Sequence, residues 1–460
     1  MIAIIILVFF GVLLLFAGVL NMHKSAMPIG VLGLAFALIF CFQDIDTLFL
    51  GYKNMFLFTE YARAFSALLI FSTILVFLLG SYFLSEDNNY KADKFALMLF
   101  SLSGAITMVS SQNLLMLFLG VEILSIPLYI LAASQKDDLH SNEAGMKYFL
   151  MGAFATGIML FGMALIYGAT GSTEINIIWT KMLNGSFNTN LMILGTFMLM
   201  IALLFKVGAA PFHFWSPDVY DGSPTLFTAF MSTVVKTAGF AAFFNLFVFC
   251  FQNIGSDWKI VIAVVSALTM FIANITAIYQ TSFKRMMAYS SISHAGYLLM
   301  ALLCTNALQG QSALLLYLTA YCVASIAVFA IFILVQKQNQ RSDFEVFNGL
   351  GKRNKYLAIV MTLGMLSLAG IPLTAGFFGK YYIFTVAFAQ YKPLVIIAIL
   401  NSAISIYYYF RVIINMWFKE SEHHAFELTN VPLYTLVLSI TSIAIIAIGI
   451  FPSLVIELFW

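Results

Sequence analysis

Apolar residues in this chain fall in long, nearly unbroken runs, without the alternation of a half-buried strand or the stripe of a surface helix. A helix that crosses a bilayer needs about 20 mostly apolar residues. Runs of that kind lie near 2–21, 26–43, 64–84, 95–111, 114–133, 146–168, 191–210, 223–251, 258–280, 287–305, 311–335, 356–390, 394–417 and 433–451. The pattern predicts an all-α integral membrane protein of about 14 transmembrane helices. Two runs are interrupted. The segment 356–390 is too long for one straight span and contains Gly370-Ile371-Pro372, and 191–210 runs through Ala210-Pro211 into the polar stretch 211–224. Proline removes a backbone donor and frees a carbonyl, and in lipid such breaks persist only where protein or a wet cavity satisfies them. Paired breaks in two halves of a chain predict inverted repeats with an ion pathway between them.

Composition agrees. Hydrophobic residues make up 62% of the 460 positions and charged residues 9%, against about a quarter charged in a soluble domain. No stretch reads as a soluble domain or linker, and the largest polar loop, 336–355, reads as a short basic connection. The net charge of +2 implies neither nucleic acid nor an acidic partner. Cys41, Cys250, Cys304 and Cys322 lie in apolar runs without ligand spacing, so neither an iron–sulfur nor a zinc site is expected. There is no phosphate-cradling loop and no dinucleotide fingerprint. The apolar start lacks a positive leader, and His23-Lys24 follow it, which suits a first span with its N-terminus outside. On that footing twelve Lys and Arg fall in inner loops and five, including Lys53, at the outer side, while Lys147, Lys206, Lys236, Lys380 and Arg411 lie in or near spans. The bias predicts both termini on the outer face.

The span residues carry the chemistry. A charge at mid-bilayer costs at least about 2.5–3.5 kcal/mol on insertion scales, so it faces a cavity or a partner. Glu122 is the one acidic residue expected mid-span, with Lys206, Lys236 and Lys380 as the deep bases. Lys236 has Ser232, Thr233 and Thr237 beside it, and Lys380 follows the Pro372 break. Lys147 lies nearer a helix end, where it could simply snorkel, and Glu122 could be a packing partner for a lysine. His294 sits among Ser290, Ser291 and Ser293, either bonding a neighbouring helix or relaying protons. Lys284 and Arg285 read as loop charges, Arg411 as an anchor, His213 as part of a fixed turn, and His423-His424 as no ligand set.

Together, Glu122, Lys206 ahead of PFHFWSPDVYDGSP, Lys236, FKRMMAYSSISHAGY and GIPLTAGFFGKYY resemble the antiporter-like membrane subunits of respiratory complex I, from about residue 95 to 420. Those subunits share fourteen helices, two interrupted helices and inverted repeats with multi-subunit cation/proton antiporters. Three features point to the subunit N branch. Pro217-Asp218-Val219-Tyr220-Asp221-Gly222 replaces the PDAH-like stretch of subunits L and M, Lys380 stands where M usually has glutamate, and no long lateral helix follows the last span. The resemblance implies a non-redox subunit that moves protons while NADH is oxidised by quinone elsewhere. NADH, FMN, iron–sulfur clusters and quinone would belong to partner subunits, and none of them to this chain. Its partners would be another antiporter-like subunit, small membrane subunits and lipid, in a bacterial inner membrane. By matching motif, Glu122 and Lys206 would form the charged pair of the first half-channel, Lys236 would pass the proton on, His294 would connect the halves, Lys380 would mark the exit, and Lys147 would be a further family lysine. The expected division is 1–94, 95–251, 258–417 and 418–460. A subunit of a cation/proton antiporter, a stand-alone secondary transporter and a structural scaffold are the competing readings.

Overall fold

A computed structural model describes residues 1–43, 52, 54–85, 90–254, 257–339, 341–420 and 432–457. His423, His424 and Lys53 lie outside the described residues. Of the described residues 84% are helical, and they contain isolated bridges but no strands. In chain order the helices are α1 (Ile2–Val19), α2 (Ala26–Cys41), α3 (Glu60–Phe83), α4 (Lys91–Ser110), α5 (Leu114–Ala132), α6 (Leu139–Thr170), a short α7 (Ile175–Leu183), α8 (Thr189–Val207) and α9 (Trp215–Gly222). They continue as α10 (Thr225–Cys250), α11 (Asp257–Ile278), α12 (Phe283–Leu303), α13 (Ala307–Asn339), α14 (Lys355–Ala369), α15 (Ala375–Phe388), α16 (Lys392–Phe418) and α17 (Pro432–Ile450). Among the described residues, 13 are long and apolar enough to cross a membrane. The α14–α15 pair, broken between residues 369 and 375, supplies the fourteenth span.

Polar residues at the ends of apolar runs start the helices. Asn113, Asp138, Asn188, Ser282 and Asn354 each accept a hydrogen bond from a backbone N–H of the first turn, satisfying a donor that lipid could not. Both interrupted spans stop in the same way. Gly208 (φ 73°) and Gly370 (φ 83°) adopt the left-handed conformation, and the next N–H turns back, from Ala209 to the Leu204 carbonyl and from Ile371 to the Leu366 carbonyl. This is the Schellman stop, which glycine makes without steric cost. Helices then pack through small residues. A Cβ on Gly104 would lie 2.4 Å from the Leu124 nitrogen, and one on Gly195 2.8 Å from the Gly162 carbonyl, so α4 meets α5, and α6 meets α8, backbone to backbone.

The order of elements repeats. Each half has a third span that is long, 32 residues in α6 and 33 in α13, and a broken fourth, α8–α9 and α14–α15. Five spans per half is an odd number, so the second half enters from the opposite side and the repeat is inverted. Matching antiparallel bridges, Asn113 to Glu174 and Ser282 to Asp343, tie the start of the second span to the end of the third in each half. Set on these bridges, Glu122 corresponds to Ser291 and Ser125 to His294, nine and twelve residues past the bridge. Tyr148 corresponds to Tyr317, each 26 residues before it.

Two expectations need correction. The basic connection read as 336–355 is shorter, because α13 continues to Asn339 and short helical turns cover 344–347 and 350–353. Lys284 and Arg285 are not loop charges. Phe283, Lys284 and Arg285 form the first turn of α12, capped by Ser282, and Lys284 is buried.

Candidate functional site

Of the three deep bases, Lys236 bonds across the two repeats, while Lys206 and Lys380 each bond within their own. Lys206, Lys236 and Lys380 are 9%, 5% and 4% exposed. Lys206, two residues before Gly208 at the end of α8, donates to the Ser125 hydroxyl at 2.7 Å. Lys236 follows a π-helical turn, Met231–Val235, within α10, and donates to both the hydroxyl and the carbonyl oxygen of Ser291 on α12. Lys380 on α15 reaches back across the second break to the Ala369 carbonyl at 2.8 Å and to the Ser402 hydroxyl at 2.9 Å. Its acceptor is thus a carbonyl that the break leaves free at the end of α14.

A face of α12 joins them. Ser291, His294 and Tyr297 recur every third residue, so they stack on one side of the helix. The Tyr321 hydroxyl donates to the Ser291 hydroxyl at 3.0 Å. His294 Nδ1 meets the Tyr317 hydroxyl at 2.7 Å, and Nε2 meets the Tyr409 hydroxyl at 3.1 Å. Tyr409 also meets Ser290 at 2.5 Å. Tyr408 donates to Asn274, and the Asn274 amide faces Asn401 and Tyr297. The Lys380 ammonium lies 5.0 Å from the Tyr297 ring centre. Polar atoms therefore run from Lys236 past His294 to Lys380, almost all of them hydroxyl, amide or ring nitrogen. On the other side, one cavity is lined by Tyr148, Lys206, Trp215, Ser216, Tyr220 and Lys236, bringing Lys206 and Lys236 to a common chamber.

Lys147 stands apart from this row, and Glu122 acts on Lys206 electrostatically without touching it. No ion pair within 4 Å joins Glu122 to Lys206 among the described residues, and the Glu122 Oε1 atom is buried without a hydrogen-bond partner. Ser125, one turn further along α5, occupies the position opposite Lys206. Lys147 is at a surface. Its side chain is 41% exposed and pairs with Glu143 at 2.7 Å and Asp218 at 2.8 Å. The hydroxyls of Ser232 and Thr233 turn to the Ala229 carbonyl of their own helix rather than to Lys236, a back-bond that serine and threonine often make inside helices. His213 is buried in the turn after the first break, its ring stacked on Phe214. Arg411 donates to the Gln280 carbonyl at 2.9 Å and lies over Phe344.

The sequence marked Ser291 only as one of the hydroxyls around His294, and nothing in it singled out Ser125, Tyr317, Tyr321 or Tyr409. The three-residue spacing on α12 was a usable signal for Ser291 and Tyr297. The tyrosines come from α13 and α16, which nothing local in the sequence ties to α12. Chemically, each deep ammonium donates to neutral oxygens, and among the described residues no carboxylate lies within 4 Å of one. A buried charge without a fixed counter-ion responds strongly to other charges, because the low-dielectric interior barely screens them. Among the described residues no cluster of His, Cys, Asp and Glu could hold a metal ion.

Residues 111–405 match the family described as NADH:quinone oxidoreductase/Mrp antiporter, TM. The NADH-quinone oxidoreductase subunit N of Flavobacterium psychrophilum is 42% identical over 97% of this chain and 98% of its own length. That of Cytophaga hutchinsonii is 46% identical over 88% of each. A chain of respiratory complex I from Thermus thermophilus superposes with a TM-score of 0.82 at 31% identity, over 99% of this chain and 98% of that one. A chain of the Mrp complex from Dietzia has the same fold, with a TM-score of 0.81 at 20% identity over 100% and 96%. With a family match across most of its length and relatives above 40% identity end to end, the chain belongs to the subunit N family of NADH-quinone oxidoreductase, with the antiporter-like fold.

Proposed function

We propose that this multi-pass subunit carries protons across the membrane through Lys206, Lys236, His294 and Lys380 while partner subunits transfer electrons from NADH to quinone. The observation that carries the proposal is the line of three buried ammonium groups on neutral acceptors, joined by one face of α12. Moving a charge across the membrane costs about 2.3 kcal/mol per 100 mV, so an external reaction must drive it. In this reading NADH, FMN, iron–sulfur clusters and quinone belong to the partners, and this chain has no redox site. Glu122, with an unpaired buried oxygen, and Lys147, at the surface, take part at the edges of the path. The neighbours are another antiporter-like subunit and small membrane subunits. The membrane is a bacterial inner membrane, both termini are on the outer face, and the repeats span 95–251 and 258–417.

The test is Lys236→Ala in the complete complex. NADH oxidation and proton pumping are measured in membrane vesicles at equal complex content. Pumping falls sharply if Lys236 carries protons, and normal pumping refutes the role. Gentle solubilisation separates this reading from a stand-alone transporter, because flavin and iron–sulfur absorbance co-purifies with the chain only in the former.

A further inference from the structure

The stretch Pro217–Gly222 carries two carboxylates, and the first sits where the two repeats touch. Asp218 is on α9, the second limb of the first broken span, and its two oxygens are divided between the halves. Oδ2 accepts from Lys147 on α6 at 2.8 Å, and Oδ1 accepts from Arg285 on α12 at 2.9 Å. The surrounding charges close a clasp. Glu143 shares Lys147, and Arg285 reaches Asp221 Oδ2 at 4.0 Å. The Ser282 hydroxyl donates to Asp221 Oδ1 at 2.7 Å. The buried Lys284 donates to the carbonyls of Asp221 and Ser223 at 2.5 and 2.7 Å, closing the C-terminus of α9. Asp138, at the start of α6, acts electrostatically on Lys284.

One side of α9 is half-exposed and the other is buried. The side chains of Lys147, Asp218 and Arg285 are 34–41% exposed. One turn away on the same helix Trp215 is buried and stacked on Tyr148, ring centres 4.7 Å apart and planes 8° from parallel. Trp215, Ser216 and Tyr220 line the chamber that holds Lys206 and Lys236. Behind α9 the chain is broken at Gly208, so this limb of 8 residues is not held by helix continuity.

We propose that Asp218 is a positioning residue that latches α9 over the Lys206–Lys236 chamber by bridging the two repeats, so that opening the clasp admits water, and with it protons, from this face. The inference rests on the reading of the lysines as proton carriers, but access to the chamber is measurable without it. A carboxylate is required because both cations need an acceptor. An asparagine offers one acceptor oxygen and turns an NH₂ toward the other cation.

The experiment places a thiol in the chamber. Ser216→Cys is introduced into the complete complex in lipid nanodiscs, where both faces meet solvent, and labelled with a hydrophilic maleimide. The rate is followed at that residue by mass spectrometry, and the four native cysteines are buried. Half-exposed ion pairs each shift an equilibrium by a few-fold, so losing two speeds labelling by about tenfold in Asp218→Asn. Asp218→Glu, which keeps both acceptor oxygens, labels at the parent rate. Equal rates in Asp218→Asn and its parent overturn the latch. Should that variant fail to assemble, Arg285→Gln removes one pair and gives a few-fold gain, and no gain overturns the proposal. Pumping lost with labelling unchanged refutes the latch and spares the lysine reading. Faster labelling with pumping intact supports the latch, and the lysine reading then stands or falls on Lys236→Ala alone.

Discussion

Deleting one oxygen, in Ser291→Ala, tests the continuity of the row directly. That hydroxyl accepts from the Lys236 ammonium and from the Tyr321 hydroxyl at 3.0 Å, so it is the one atom shared by the α10 lysine and the hydroxyl groups of α12 and α13. The variant leaves Lys236 only the Ser291 carbonyl of its two recorded acceptors. A hydrogen bond to a charged group is worth about 1.5–3 kcal/mol. If half to all of it supports the transfer step, the barrier rises by about 2 kcal/mol, and about 1.36 kcal/mol corresponds to tenfold in rate. Proton transfer through this point then slows by about thirtyfold. Packing is barely disturbed, because alanine removes no carbon and suits a helix. The complex should therefore assemble normally.

The assay is dye quenching by acidified inverted vesicles, with NADH oxidation recorded in parallel and complex content matched by immunoblot. In a tightly coupled machine both rates fall together. Ser291→Thr, which keeps a hydroxyl, recovers most of the loss. Pumping by Ser291→Ala at the parent rate, with the complex intact, would show that protons do not pass this serine, and the continuous row would have to be abandoned.

Other outcomes follow from the same geometry. Tyr409→Phe removes the hydroxyl between His294 and Ser290, and about 1 kcal/mol per lost bond should lower proton flux several-fold without loss of the complex. Gly376→Ala should abolish assembly, seen as missing complex on native gels, because its Cβ would fall 1.8 Å from the Ser367 carbonyl oxygen and backbone would have to move.

Much of the fold was legible because lipid leaves little choice. A run of apolar residues long enough to cross must be a helix, so all fourteen spans could be located, and Pro211 and Pro372 marked the two interruptions. Lys380 could be set next to freed backbone for the same reason. Partners were harder. The family resemblance paired Glu122 with Lys206, yet Ser125, three residues on, accepts the hydrogen bond of the ammonium. Whether residue 122 or 125 points at a neighbour depends on how α5 is rotated against α8. Gly104 and Gly120 set the close approach of α4 to α5, a long-range contact that periodicity does not reveal. The π-turn before Lys236 is equally silent, since it changes which carbonyl each N–H uses and not which residue types occur. Lys284 and Arg285 were assigned to a loop because three polar side chains at a membrane edge resemble one, whereas the clasp on α9 consumes their charge.

The pseudo-symmetry of the halves explains why one row forms instead of two separate sites. Ser125 and His294 occupy equivalent positions, as do Glu122 and Ser291, but the lysines do not. Lys206 precedes the first break and Lys380 follows the second. Exact symmetry would give each half its own closed pair. The exchange of Glu122 for Ser291 in the second half instead supplies a neutral acceptor, and Lys236 of the first half takes it. Thus α12, a member of the second repeat, is bound at its first turn to α9 and at its centre to α10, both from the first. A unit charge about 10 Å away contributes about 1.7 kcal/mol at an effective dielectric constant of 20, more than a factor of ten in an equilibrium. Groups held by neutral oxygens feel that influence undiminished by a private counter-ion. A change of charge at either end of α12 can therefore alter the proton occupancy of Lys236, and the helix that holds the repeats together is also the one that makes their lysines interdependent.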